Sequence, residues 1–273
     1  NFLKHSKSYN HKYFSDIQEY KINIEEFQKK HLLIDLYELM KKLRLYEIEI
    51  KEQYHPADRM RCPVHLCIGQ EAIPAALFKL TEQGDYIFSH HRSHGYYFAS
   101  KSNMKYLISE LHGKNSGASG GLAGSQDISS TENNFYSGAI LGGTVGIASG
   151  VAASIKLSGT KQKCVVGFGE ACTEEGVFWE TINFAALENL PILFICENNK
   201  YATYSNQLKR QPKDNITEKV SAFGVKSRKI FGNDITEVYS VINNSLQEIA
   251  SKKTPIFIEA HTYRMNSHVG PED

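Results

Sequence analysis

The stretch from Gly167 to Tyr201 constrains the fold more than any other part of the chain. An apolar run, Cys164-Val165-Val166, stops at small residues and a carboxylate in Gly167-Phe168-Gly169-Glu170-Ala171-Cys172. A helical stretch follows, and a second apolar run, Ile192 to Cys196, stops at Glu197-Asn198-Asn199-Lys200-Tyr201. Two short apolar runs joined by a helix-length crossover describe adjacent parallel strands of a βαβ unit. Ligands of open α/β sheets gather at the carboxyl ends of the strands. The carboxylate of Glu170 and the amide of Asn199 are therefore expected to meet there on one hard cation, and magnesium holding a diphosphate suits such an oxygen pair.

The rest of the pattern agrees with that unit. Leu32, Leu36, Met40, Leu43 and Glu47/Ile50 fall on one helical face, which predicts an amphipathic helix over about 25–53. A second helix is predicted over 70–80 and a short strand over 86–89. Met104, Leu107, Ile108 and Leu111 mark another helix, with Gly113 as its C′ residue. Gly113, Gly117, Gly120, Gly121 and Gly124 predict a flexible loop without packed structure, expected to order only around a ligand. Small residues from Gly142 to Ser154 allow a helix to pack closely on a sheet. Strands predicted at 164–167, 192–196, 226–230 and 256–260 alternate with helices at 176–188 and 236–251. The expected fold is α/β, a parallel sheet flanked by helices on both faces. Residues 1–24, rich in Lys, His, Ser, Asn and Tyr without periodicity, are expected to be a flexible arm, and 25–273 one domain.

Composition closes off several functions. With 31 basic and 30 acidic residues the net charge is +1, so there is no electrostatic reason to expect nucleic acid or an anionic membrane as partner. Apolar runs such as Leu190 to Cys196 are too short to span a bilayer. The five cysteines, Cys62, Cys67, Cys164, Cys172 and Cys196, include no C-x-x-C pair, and they read as reduced thiols of a cytoplasmic protein.

The segment from Gly169-Glu170-Ala171 to Asn198-Asn199 resembles the thiamine diphosphate motif, whose usual form is Gly-Asp-Gly followed some thirty residues on by Asn-Asn. Phe178-Trp179-Glu180-Thr181-Ile182-Asn183-Phe184-Ala185-Ala186-Leu187 and Leu190-Pro191-Ile192-Leu193-Phe194-Ile195-Cys196-Glu197-Asn198-Asn199 narrow the likeness. They resemble the α subunit of the thiamine-dependent, decarboxylating component of 2-oxo acid dehydrogenase complexes, the pyruvate, branched-chain and acetoin type. The resemblance runs over roughly residues 30–273. It implies thiamine diphosphate and Mg²⁺ as cofactors and the diphosphate-binding half of the thiamine fold. It also implies a β subunit in an α/β heterotetramer, a lipoyl acyltransferase as a further partner, and a 2-oxo acid as substrate. The glutamate that activates the coenzyme belongs to the β subunit in that family, and nothing in this chain resembles it.

Residue by residue, the resemblance implies the following site. His91-Arg92-Ser93-His94-Gly95 matches a word whose Arg binds the diphosphate, a task that suits a guanidinium's rigid fork of donors; His91 stands where the family has Tyr. Ala139-Ile140-Leu141-Gly142-Gly143 matches the aminopyrimidine cradle, with the Ala139 carbonyl as acceptor and Leu141 as the wedge that bends the cofactor. His65, in His65-Leu66-Cys67-Ile68-Gly69-Gln70, matches a histidine that contacts the 2-oxo acid. His268, in Thr262-Tyr263-Arg264-Met265-Asn266-Ser267-His268, matches one that lies over the thiazolium and diphosphate. The expected catalytic residues are thus His65, His94 and His268. Gly169, Glu170, Ala171, Asn199 and Tyr201 complete the cofactor contacts, and Glu170, Asn199 and Tyr201 the metal site.

Three departures stand out. Glu170 replaces the usual Asp and adds a methylene between backbone and ion, which magnesium's strict geometry tolerates poorly. Asp127, in Gly124-Ser125-Gln126-Asp127, replaces a His and is expected to bring negative charge toward a diphosphate. The chain also starts without Met and stops at Pro271-Glu272-Asp273, so a truncated C-terminal end is expected. Two other readings of the same residues are a carboligase or transketolase-like synthase subunit and a non-catalytic pseudo-subunit.

Overall fold

The computed structural model describes residues 30–54 and 59–272. The expected arm at 1–24 and the predicted start of the first helix at residue 25 lie outside the described residues. Helix α1 (Lys30–Gln53) is followed by α2 (Ala72–Leu80), β1 (Tyr86–Ser89), α3 (His94–Ala99), α4 (Met104–Leu111), β2 (Ser129–Ser130) and β3 (Phe135–Ser137). Then come α5 (Gly143–Ser158), β4 (Cys164–Gly169), α6 (Gly176–Leu187), β5 (Ile192–Asn198), the ribbon β6 (Tyr201–Ala202) and β7 (Ser205–Asn206), and α7 (Gln207–Arg210). The chain continues through α8 (Ile216–Ser221), β8 (Lys226–Phe231), α9 (Ile235–Lys252) and β9 (Ile256–His261).

Seven of these strands form one sheet in the order β2-β3-β1-β4-β5-β9-β8. Every neighbouring pair is parallel except β2 with β3 at the edge. Alternation along each strand divides the apolar side chains between two cores. Val165, Leu193, Ile195, Ile256 and Ile258 face one layer with α1–α4 and α9. Cys164, Val166, Ile192, Phe194, Cys196 and Phe257 face the other with α5, α6 and α8. Burial on both faces explains why these strands read as unbroken apolar runs. The strand and helix bounds expected from the sequence are met to within about two residues from 86 onward, as strong periodicity allows.

Three segments differ from expectation. The glycine-rich stretch after α4 is ordered, because the buried carboxylate of Glu110 accepts from the backbone N–H groups of Ser119 (2.8 Å), Gly121 (2.9 Å) and Ala123 (2.7 Å). One side chain on the preceding helix thus supplies the partners that a turn-rich segment lacks. The sequence also hid the ribbon β6–β7 and the strands β2 and β3, which are two or three residues long and below the reach of any period.

Candidate functional site

Because the sheet is parallel, the chain leaves β1, β3, β4, β5 and β9 on one edge, and the loops there enclose a cavity of about 230 Å³. From β1 come His90, His91 and Arg92; from β3 come Ala139 and Leu141; from β4 come Gly169, Glu170 and Ala171. Asn199, Tyr201, Ala202 and Thr203 follow Glu197 at the tip of β5, Arg264 and His268 follow β9, and His65 and Gln70 arrive from the loop before α2. Apart from His94 and Asp127, every site residue singled out from the sequence therefore lines one cavity.

Positive charge and imidazole dominate its wall. Arg92 is buried, and its guanidinium donates to the carbonyls of Leu66 and His268, the latter at 3.2 Å. Among the described residues no carboxylate lies within ion-pair distance of it. Burial, then the neighbouring Arg264, lowers its pKa to about 10, so it stays charged at neutral pH. A buried cation without a counter-charge is costly, and an anion in the cavity would relieve that cost.

Around it stand four rings. His65 lies 4.9 Å from His91 and 5.0 Å from His268, centroid to centroid, and His90 lies 5.1 Å from His91. Burial first, then the field of Arg92, lowers His65 and His90 to about 3, and burial with both guanidiniums lowers His268 to about 4. Burial first, then the neighbouring imidazoles of His90 and His65 and the Arg92 guanidinium, push His91 still further down. All four are neutral at pH 7. His90 accepts weakly from the Arg92 N–H at Nδ1 (3.5 Å), which leaves its buried Nε2 as a donor without a partner. Buried polar atoms are nearly always satisfied, so this orphan marks where a ligand atom belongs. Gln70 Oε1 is a second such atom.

The acid and amide tips are arranged differently. Glu170 is buried, which raises its pKa, yet one carboxylate oxygen accepts from Arg210, whose guanidinium also holds Glu174. Asn199 Oδ1 accepts from the Tyr201 N–H at 3.0 Å, closing an Asx turn. Beneath the cavity lies Glu197, held by the Tyr96 hydroxyl (2.7 Å) and Gln70 Nε2 (2.5 Å), with burial raising its pKa to about 7. Gly167 makes this possible: a Cβ there would sit 2.2 Å from the Tyr96 ring.

His94 does not reach the cavity. It is buried between Glu47 Oε1 (2.8 Å from Nδ1) and Ser125 Oγ (2.9 Å from Nε2). Its partners explain the acid on the apolar face of α1, since Glu47 also accepts from the Cys67 N–H at 2.6 Å. His94, expected to be catalytic, instead forms a strut between α1 and the loop that carries Gln126. Asp127 is likewise out of the cavity; it is exposed and accepts from the Ala139 N–H at 2.9 Å. Its charge pins the Ala139–Leu141 segment without entering the cavity. His90, Arg264, Gln126 and Glu197 escaped the sequence reading, although His90 adjoins His91-Arg92 and Arg264 lies in the same word as His268.

A family model described as the dehydrogenase E1 component matches residues 38–273. The chain belongs to that family. Relatives named pyruvate dehydrogenase E1 component subunit alpha include one from Rickettsia felis, 31% identical over 205 residues, which cover 75% of this chain and 63% of the relative. One from Porphyra purpurea is 32% identical over 247 residues, covering 88% of this chain and 72% of the relative. One from Zymomonas mobilis is 31% identical over 238 residues, 86% and 67% respectively. The chain thus spans just under two thirds of the Rickettsia relatives it matches. The parallel sheet with helices on both faces agrees with the thiamine diphosphate-binding fold expected of the family. Among the described residues no helix is long and apolar enough to cross a membrane.

Proposed function

We propose that this chain is the α subunit of a thiamine diphosphate-dependent 2-oxo acid dehydrogenase, which decarboxylates a 2-oxo acid oxidatively and passes the acyl group to a lipoyl-bearing partner. The observation that carries the reading is Arg92, a buried guanidinium that has no carboxylate within ion-pair distance among the described residues, at the wall of a cavity that also holds the unpartnered Nε2 of His90. A diphosphate supplies the missing charge and acceptors.

The residues present fit that group. Arg92 would bind phosphate oxygens, with His91 beside it. Ala139, through its carbonyl, and Leu141, through its apolar side chain, would hold and bend the organic half. Gly169 and Ala171 would flank the diphosphate with backbone. When bound, the coenzyme supplies a nucleophilic carbon and an electron sink for the loss of carbon dioxide. The neutral rings of His65 and His268 would then orient the 2-oxo acid by donating hydrogen bonds to its carboxylate and keto oxygen. For magnesium, Glu170, Asn199 and Tyr201 would be the holders, an oxygen donor set of the right kind. The ion would share Glu170 with Arg210. That sharing favours a second reading, a pseudo-subunit whose metal position is filled by a guanidinium.

A β subunit as partner is supported by the exposed apolar side chains of Ile140, Ile147, Val177, Phe184 and Leu187, on and beside α5 and α6. Site-completing residues would come from that chain, and the reading places the pair in the cytoplasm. Calorimetric titration of the α–β pair with thiamine diphosphate and magnesium tests the proposal. Micromolar binding lost in Arg92→Met is expected, and no binding by the intact pair would overturn it.

A further inference from the structure

We propose that His65, His91 and His268 form a binding site for a borderline transition-metal dication such as Zn²⁺ or Co²⁺, separate from the strand-tip oxygens of Glu170 and Asn199. One ring nitrogen from each histidine lies within 4.8 Å of the other two. The three residues come from unrelated parts of the chain, the loop before α2, the tip of β1 and the segment after β9, so their convergence is a property of the fold. Three nitrogens and no carboxylate suit zinc, cobalt or copper and not magnesium.

Bonds of about 2.05 Å at tetrahedral angles set the nitrogens roughly 3.3 Å apart, so the rings must draw inward by an ångström or so. The second shell can accommodate that. Gln126 Nε2 lies 3.3 Å from His65 Nδ1, and a half-turn of its amide would offer the carbonyl to an Nδ1–H, the outer bond that metal-bound histidines use. His268 meets Arg264 Nη1 only at 3.4 Å, a long contact that is given up when Nδ1 takes the proton. Arg92 and Arg264 repel a bare dication. They therefore favour a metal whose fourth ligand is an anion, and a phosphate oxygen between the metal and the two guanidiniums satisfies both.

A second cluster of potential ligands, Asp214, Glu259 and His261, already has its acids in ion pairs with Lys200 and Lys229. His91 is the residue that makes the first cluster a triad, and it is the residue by which this chain departs from its family's Tyr. Metal held there would occupy the imidazoles that the proposed reaction uses as donors, so loading would inhibit catalysis.

The test is a titration of the metal-free chain with Co²⁺, followed by visible spectroscopy. The wild type should give the intense bands of four-coordinate cobalt, and inorganic phosphate should tighten binding. His91→Tyr should weaken binding on the order of 100-fold, the loss of one ligand of a small set; His268→Asn serves the same purpose if the first variant fails to fold. Glu170→Gln should leave the cobalt affinity as it is. A pale six-coordinate spectrum, a His91→Tyr titration superimposable on the wild type, or cobalt binding abolished by Glu170→Gln would overturn the proposal.

Discussion

Two polar clusters sit on the same carboxyl edge of the sheet and are built on opposite principles. At the β8–β9 end, Asp214 meets Lys200 (2.6 Å) and Lys229 (3.7 Å), while Glu259 meets His261 (3.2 Å) and accepts from Asn198 (2.8 Å). Burial alone would raise both carboxyls, but these cations and donors outweigh it and hold both below their usual range. At the β1 end, Arg92 and Arg264 stand among four neutral histidines, and among the described residues no carboxylate lies within ion-pair distance of either. The first cluster balances its charges within the chain, although Asp214 Oδ1 and Glu259 Oε2 accept no hydrogen bond, and it fixes Asn198, hence the turn that presents Asn199. The second is open, and its missing charge is the shape of its ligand. Buried ionic groups that are paired serve as scaffold; those left unpaired beside a cavity report binding.

Substitutions should separate the two. Glu259→Ala removes the acid from a charge-balanced network and should cost about 3–5 kcal/mol of stability, read by urea denaturation, because Lys229 and Asn198 lose a partner. A loss under about 1 kcal/mol would erase the distinction. Arg92→Met should do the reverse, leaving stability level or higher while weakening thiamine diphosphate by about 2–3 kcal/mol in calorimetry, the worth of charge-assisted hydrogen bonds. If its stability falls as far as that of Glu259→Ala, the open cluster is scaffold as well. Asn199→Ala should weaken metal-dependent cofactor binding by about 2 kcal/mol, and unchanged affinity would remove Asn199 from the metal site.

The smallest effect is the pH dependence of the free protein. His65 and His90 at about 3 and His268 at about 4 are neutral when folded, whereas unfolded histidine titrates near 6.5. Below about pH 6.5 the unfolded chain binds more protons, so stability should fall as the pH drops toward 4. His65→Asn should flatten that slope by about 1 kcal/mol per pH unit, and an unchanged slope would mean that His65 is not held neutral.

Much of this was legible early because it depends on local periodicity. Apolar runs buried on both faces, as in β4 and β5, and the helix between them could be bounded from composition alone. The words around Arg92, Glu170 and Asn199 placed candidate ligands at strand ends, where a parallel sheet collects them. Two-residue strands carry no period, so β2, β6 and β7 were invisible. The glycine-rich loop looked unstructured because its order depends on Glu110, whose side chain reaches across residues that have no pattern of their own.

What the sequence determined by itself was the βαβ order, the family and many of the residues that reach the carboxyl edge, since these follow from alternation and motif along the chain. Only the tertiary structure decided which polar side chains face the cavity and which face each other. It turned His94 inward to Glu47 and Ser125, tied Glu170 to Arg210, moved Asp127 onto the Ala139 N–H and gathered His65, His91 and His268. The physical reason is that a charge or imidazole takes its role from partners distant in the chain, and no local pattern encodes those distances.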